Sequence, residues 1–124
     1  MTVYPDHLMD HYRHPRNFKF KDDVSYTCVS DMDNPSCGDK IQVKACVSGG
    51  IVKEIAWDGI GCALSTASAS MMTEKVKGKP VTVVLNMTKD DVLSEIAMDI
   101  TPTRLPCALI PLEAIQKALS KNNS

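Results

Sequence analysis

The sequence predicts an α+β fold, a small three-stranded antiparallel sheet with helices packed on one face. Three observations predict it. Period-two alternation of apolar and polar residues is confined to the stretch from Val24 to Trp57. A Ser48-Gly49-Gly50 turn splits the later part of that stretch into a hairpin. Apolar residues at helical spacing fill the rest of the chain, so strands come first and helices after.

Taken in order, Asp6 to His14 reads as a short helix with Leu8, Met9 and Tyr12 on one side, stopped by Pro15. Val24 to Val29 alternates and reads as a first strand. Ile41 to Val47 carries Ile41, Val43, Ala45 and Val47 on one face, and Ile51 to Trp57 returns as a third strand. Cys62 to Lys77 is rich in Ala, Ser and Met and reads as a helix, with Gly78 as its C′ residue. Thr88-Lys89-Asp90-Asp91 has the form of an N-cap with a carboxylate at N3, opening a helix to about Met98. Leu105, Leu109, Leu112, Ile115 and Leu119 give the last helix an apolar stripe to lay on the sheet. Pro111 falls just inside that helix, where its ring crowds the carbonyl of Cys107, so a start displaced by a turn is expected. Val81 to Leu85 is β-branched and reads locally as strand, whereas Pro80 could equally start a short helix.

A chain of 124 residues suits one domain, here residues 1–124, large enough to bury a core. A net charge of −1, with Lys and Arg dispersed, points to neither nucleic acid nor an anionic membrane. No long apolar run follows the first residues, and none is long enough to span a bilayer, so a cytoplasmic protein is expected. In that setting five cysteines, an odd number, suggest metal binding or catalysis rather than a disulfide framework. Only six residues are aromatic, so the core must rest on aliphatic side chains and methionine.

Cys37, Asp39, Cys62 and Cys107 are the candidate site. Cys37 and Asp39 share the turn Asn34-Pro35-Ser36-Cys37-Gly38-Asp39. Cys62 follows Gly59-Ile60-Gly61 at a helix start, and Cys107 follows Leu105-Pro106. A helix start offers unpaired N–H groups and partial positive charge, which favour the thiolate, the form that acts as nucleophile and ligand. Gly59 and Gly61 would let the chain turn tightly before Cys62, and Gly38 would help Asp39 reach the same point. Three thiolates and one carboxylate suit a tetrahedral zinc or, equally, a two-iron cluster with one non-cysteine ligand. By spacing alone the set stays open, because it contains no CxxC pair. Cys28 and Cys46 read as small buried hydrophobes in strands, His7 and His11 as a solvated helix face, and Met71 and Met72 as core.

The flanking residues add a resemblance. Asn34-Pro35-x-Cys37-Gly38-Asp39, then Gly59-x-Gly61-Cys62-Ala63-x-Ser65-x-Ala67-Ser68, then Cys107 ahead of a terminal helix, resembles the U-type iron–sulfur scaffold family of IscU, SufU and the N-terminal part of NifU. Asp10-His11-Tyr12-x-x-Pro15-Arg16-Asn17 resembles the family's opening helix. The resemblance implies that Cys37, Cys62 and Cys107 receive sulfur from a cysteine desulfurase of IscS or SufS type, with Cys107 a candidate persulfide acceptor. It implies that these residues, with Asp39, build a transient [2Fe-2S] cluster that passes to apo-proteins, and that Asp39 keeps the site exchangeable. Zn2+ can occupy the same site. The alternative it implies is a zinc-dependent sulfurtransferase of SufU type, which takes persulfide from the desulfurase. A purely structural zinc domain is a third reading.

Where the IscU branch has a His before the third cysteine, this chain has Pro106. Where that branch has a Leu-Pro-Pro-Val-Lys segment read by an Hsp70-type chaperone, this chain has Ile100-Thr101-Pro102-Thr103-Arg104. A chaperone partner is implied only if that departing stretch is still read. Arg104 resembles an Arg of the SufU branch and is a candidate substitute for the His. The 45-residue separation of Cys62 and Cys107 is too short for the usual SufU insertion. Lys40 and Arg104 are candidates to steer a persulfide or the desulfurase.

Overall fold

The structure is a computed structural model that describes residues 4–35 and 38–121. Five helices and three strands follow in the order α1 (Asp6–Arg13), β1 (Cys28–Asn34), β2 (Asp39–Ser48), β3 (Ile51–Ile60), α2 (Ala63–Val76), α3 (Val81–Leu85), α4 (Lys89–Ile96) and α5 (Leu105–Lys121). The strands form one antiparallel sheet in the order β1-β2-β3, as expected for an α+β chain.

Strand alternation assigns the two faces. Cys28, Ser30, Ile41, Val43, Ala45, Ile55 and Trp57 point inward, and all are buried. α5 covers them by packing on β1 and β2, while α2 packs against α5 and β3. Ala67, Met71, Met72, Val76, Ile110, Ala114, Ile115 and Ala118 complete the core, and Met71 and Met72 are core residues as expected. Small residues on α2 and α5 let the two helices sit close. Two buried hydroxyls tie the layers: Ser30 donates to the carbonyl of Ala114 at 2.6 Å and Ser68 to that of Ala108 at 2.7 Å.

Three expectations are corrected. The first strand is Cys28–Asn34 rather than Val24 to Val29. Only its inner face is covered, so Asp31 and Asp33 can alternate into solvent within a regular strand. The chain before it folds over the outer face, where Phe20 stacks edge-on against Tyr26 and lies under Lys44. Cys46 faces that layer, half-buried, and its thiol donates to the carbonyl of Ser25 at 3.0 Å, whereas Cys28 is buried as expected.

The second correction concerns α5. It begins at Leu105, so Cys107 lies inside the first turn, and Pro111 is held within the helix. Pro106 sits in that first turn, where a missing N–H costs nothing. The third concerns His7 and His11. His11 is half-buried, with Nδ1 2.7 Å from Ser70 Oγ on α2, and His7 Nε2 is 2.8 Å from the carbonyl of Ile96 on α4. His11 thus docks α1 on α2, whereas His7 stays on the exposed face as expected while its ring reaches the α4 carbonyl.

The ambiguous segment Val81 to Leu85 is helical, with Pro80 as its N-cap and Val81 and Val84 buried. Gly78 takes a positive φ of 84° after α2, as its C′ position requires. Thr88 and Asp91 form the expected capping box on α4. Among the described residues, no helix is long and apolar enough to cross a membrane.

Candidate metal centre

Three elements end at one point. Asp39 opens β2, Cys62 is the N-cap of α2, and Cys107 lies in the first turn of α5. One ligand atom from each falls within 4.8 Å of the other two. Asp39 and Cys107 are buried and Cys62 is half-buried, so the cluster opens to solvent on the Cys62 side. Cys37, the fourth candidate, lies outside the described residues, two positions before Asp39 in the sequence.

The glycines before Cys62 act by absence of bulk, not by turning. Gly59 pairs with Ile41 inside β3, and a Cβ there would overlap the Lys40 carbonyl oxygen. A Cβ on Gly61 would overlap Ser65 Oγ and come within 2.9 Å of Asp39 Oδ1. That space brings the Asp39 carboxylate to the backbone of the next loop, where Oδ1 accepts the N–H of Cys62 at 3.1 Å. Asp39 is therefore not a turn residue bonded only to its own backbone. Gly38 does adopt the positive φ, 74°, that eases the hairpin tip into β2.

Around Cys62 the environment favours the thiolate. Burial alone would push this thiol up. The backbone N–H and hydroxyl of Ser65, together with the Arg104 guanidinium, outweigh both burial and the nearby Asp39 carboxylate and bring it below the ordinary thiol value. Ser65 Oγ also donates to the Cys62 carbonyl at 3.1 Å, which fixes that first turn. Arg104 Nη2 donates to the hydroxyl of Tyr4 at 3.0 Å. The Arg104 carbonyl receives the N–H of Cys107 at 3.0 Å. Lys40, by contrast, is exposed on the face opposite Asp39 and does not enter the cluster.

The donor set fits a soft, tetrahedral metal. Ligands around tetrahedral zinc stand roughly 3.8 Å apart, given bonds of about 2.3 Å to sulfur. A spread of 4.8 Å is a small rotamer adjustment from that. Two thiols select such metals over calcium or magnesium.

A sequence model of the NifU-like N terminal domain matches residues 3–124. The chain belongs to this family. A zinc-dependent sulfurtransferase SufU from Bacillus subtilis is 36% identical, with 97% of this chain and 91% of that protein covered. That alignment runs 137 positions, more than the 124 residues here, so the relative carries segments with no counterpart in this chain. An iron–sulfur cluster assembly scaffold protein IscU from Buchnera aphidicola is 31% identical, with 98% and 95% covered. The same fold is seen in a crystal structure from Fervidobacterium islandicum described as a putative scaffold for the SUF system, with a TM-score of 0.80 at 21% identity over 94% of this chain and 96% of that one.

Sequence reasoning missed Tyr4 and its bond to Arg104. The bond between them joins residues 100 positions apart, and neither residue has a local signature for it.

Proposed function

We propose that this protein is an iron–sulfur cluster assembly scaffold, with Cys37, Asp39, Cys62 and Cys107 as the residues that hold iron and sulfide. The convergence of Asp39, Cys62 and Cys107 in a chain of this family carries the reading. Sulfur comes from a cysteine desulfurase, and the product is a [2Fe-2S] cluster passed to apo-proteins. Cys37, two positions before Asp39 in the sequence, would supply the third thiolate.

The geometry supports release as well as assembly. One ligand is a carboxylate, harder and weaker toward iron and sulfide than a thiolate. Its Oδ1 already accepts the Cys62 N–H, so it has a partner when the cargo leaves. Ile60, 73% exposed two residues before Cys62, gives a partner protein an apolar anchor at the rim. Cys107, only 3% exposed, must be uncovered before it can take a persulfide, whereas Cys62 is open. The Ile100 to Arg104 stretch is engaged in starting α5, so chaperone recognition is left out of the proposal.

A second reading, a zinc-dependent sulfurtransferase, is favoured by one observation: Ser65 and the Arg104 guanidinium draw the Cys62 thiol below its ordinary value against its burial, and such a setting can steady a thiolate or persulfide. Resident zinc would be held by the same four residues and would keep the thiols deprotonated.

Anaerobic reconstitution separates the two. Metal-stripped protein receives ferrous iron, cysteine, a cysteine desulfurase and a thiol reductant that helps bring the delivered sulfur to sulfide, followed by absorption and Mössbauer spectroscopy. A two-iron signal that moves to an added apo-ferredoxin is the expected result. Absence of cluster, with desulfurase stimulated by zinc-loaded protein carrying persulfide on one cysteine, would replace the scaffold by the sulfurtransferase.

A further inference from the structure

We propose that Ser65 is a positioning residue of the metal centre: its hydroxyl holds the Cys62 side chain in the rotamer that faces Asp39 and Cys107, so that the ligands are set before any metal arrives. The inference rests on the reading of Cys62 as a metal ligand.

Cys62 is the N-cap of α2 and lies half-buried on the open side of the cluster. A cysteine in that setting can turn about one bond among three staggered positions. Here its sulfur lies within 4.8 Å of the ligand atoms of Asp39 and Cys107. Ser65, three residues on, touches Cys62 twice. Its hydroxyl donates to the Cys62 carbonyl at 3.1 Å and accepts from the Cys62 thiol at 3.8 Å. One oxygen can do both, because a hydroxyl offers one donor and two lone pairs. The carbonyl is served without it, since the Thr66 N–H bonds there at 3.0 Å. The contact to sulfur is long, and it acts by direction rather than strength. Ser65 is only 7% exposed, so packing holds the oxygen in place as well.

The residue before Cys62 keeps that place open. A Cβ on Gly61 would overlap Ser65 Oγ and come within 2.9 Å of Asp39 Oδ1. The same carboxylate oxygen accepts the Cys62 N–H at 3.1 Å. Cys62 is thus gripped at its N–H by Asp39, at its carbonyl by Ser65 and Thr66, and at its sulfur by Ser65. Ordering a ligand in advance removes that cost from metal binding. A sulfur released from one well to three would occupy the competent one about a third of the time, and apparent affinity would fall by that factor.

The test uses the full-length protein and two metal readouts: zinc affinity by competition with a chromophoric chelator, and the sulfur-to-cobalt charge-transfer band at cobalt saturation. Ser65→Ala is expected to weaken zinc binding about threefold. The saturated cobalt band should keep its full strength, because the same ligands bind. Thr73→Val is the matched control, since Thr73 donates to the Ala69 carbonyl at 2.7 Å further along α2. It should lower stability in urea and leave zinc affinity unchanged. In a Cys62→Ala background, Ser65→Ala should cause no further loss of affinity, because Ser65 acts only through the Cys62 sulfur. Unchanged zinc affinity in Ser65→Ala, an equal loss in Thr73→Val, a weakened cobalt band at saturation, or a full further loss in the Cys62→Ala background would each overturn the proposal. Cys62→Ala alone tests the underlying ligand reading: zinc affinity equal to that of the unmodified protein would remove it, whereas a large loss there with no effect of Ser65→Ala would remove only the positioning role.

Discussion

The two ends of the sheet are built differently. At the β2–β3 turn the chain is joined by backbone: Val52 N–H bonds to the Lys79 carbonyl at 3.0 Å, Gly78 N–H to the Val52 carbonyl at 2.8 Å, and Val81 N–H to the Gly50 carbonyl at 2.8 Å. Val52 itself is fully buried. At the opposite end, β2, β3, α2 and α5 meet through side chains: the Asp39 carboxylate on the Cys62 N–H, the Ser65 hydroxyl on its carbonyl, and Arg104 on the Tyr4 hydroxyl. Backbone ladders resist exchange of partners, and side chains allow it. The fold thus places backbone joints at one end and side-chain joints at the end proposed to hold the metal.

Exchanging one residue at each end should separate stability from metal binding most sharply. Cys107→Ala is expected to weaken zinc binding more than about 100-fold, beyond the loss typical of outer-shell partners. Val52→Ala at the other end should leave zinc affinity unchanged while lowering folding stability by about 2 kcal/mol, through lost burial and a cavity. Competition titration with a chelator and urea denaturation of the metal-free proteins check the pair. Equal metal loss in both variants would sink the division of labour.

Gly61→Ala probes the same contrast more gently. The added methyl meets Ser65 Oγ and Asp39 Oδ1. The carboxylate must move, so zinc affinity should fall about tenfold, with a stability loss of roughly 1–3 kcal/mol from overpacking. Gly50→Ala, with nothing within 4 Å of its Cβ, should leave zinc affinity alone and strain only the turn, whose φ is 76°.

Alkylation of the metal-free protein compares two cysteines on opposite faces of the chemistry. Cys62 is shifted down, with Ser65 and Arg104 outweighing its burial, whereas burial pushes the Cys46 thiol up. At pH 8 iodoacetamide should modify Cys62 several-fold faster than Cys46, because only the thiolate attacks. Zinc should protect Cys62 and leave Cys46 unaffected. Mass spectrometry of the modified peptides reads both rates, and equal rates would show that Ser65 and Arg104 do not act on the sulfur.

What the sequence made legible follows from which forces are local. The apolar stripe of α5, the Thr88–Asp91 capping box and the Gly78 stop are written in neighbouring residues, and the structure matches them. The U-type motif flanks were equally readable, and they mark Asp39, Cys62 and Cys107, which the fold brings within 4.8 Å. The first strand was displaced because its polar half is a strand only by pairing with β2, a contact that alternation in Cys28–Asn34 does not announce. Val81 to Leu85 defied its β-branched composition because Val81 and Val84 are buried as one helix face. Gly59 and Gly61 were read as turn residues, yet their reason is the approach of Lys40, Asp39 and Ser65 from other segments. Those effects are tertiary, and a single sequence carries no trace of them.

The smallest effect concerns how α1 is attached. His11 is held below its ordinary value of 6.5, first by burial and then by Arg16, against the opposing pull of Asp10 and Glu74 and with a further push from His7. Its Nδ1 contacts Ser70 Oγ, which also accepts the Arg16 N–H at 2.8 Å. A histidine lowered on folding binds its proton more weakly in the folded state, so its stabilising effect is complete above pH 6.5 and is lost as pH falls through the lower folded value. Hydrogen exchange in α1 should therefore rise below pH 6.5, after correction for intrinsic rates, while exchange at the Val52–Lys79 joint stays constant. His11→Asn, which does not titrate, should flatten that dependence. A pH response that survives His11→Asn would show that His11 does not carry it.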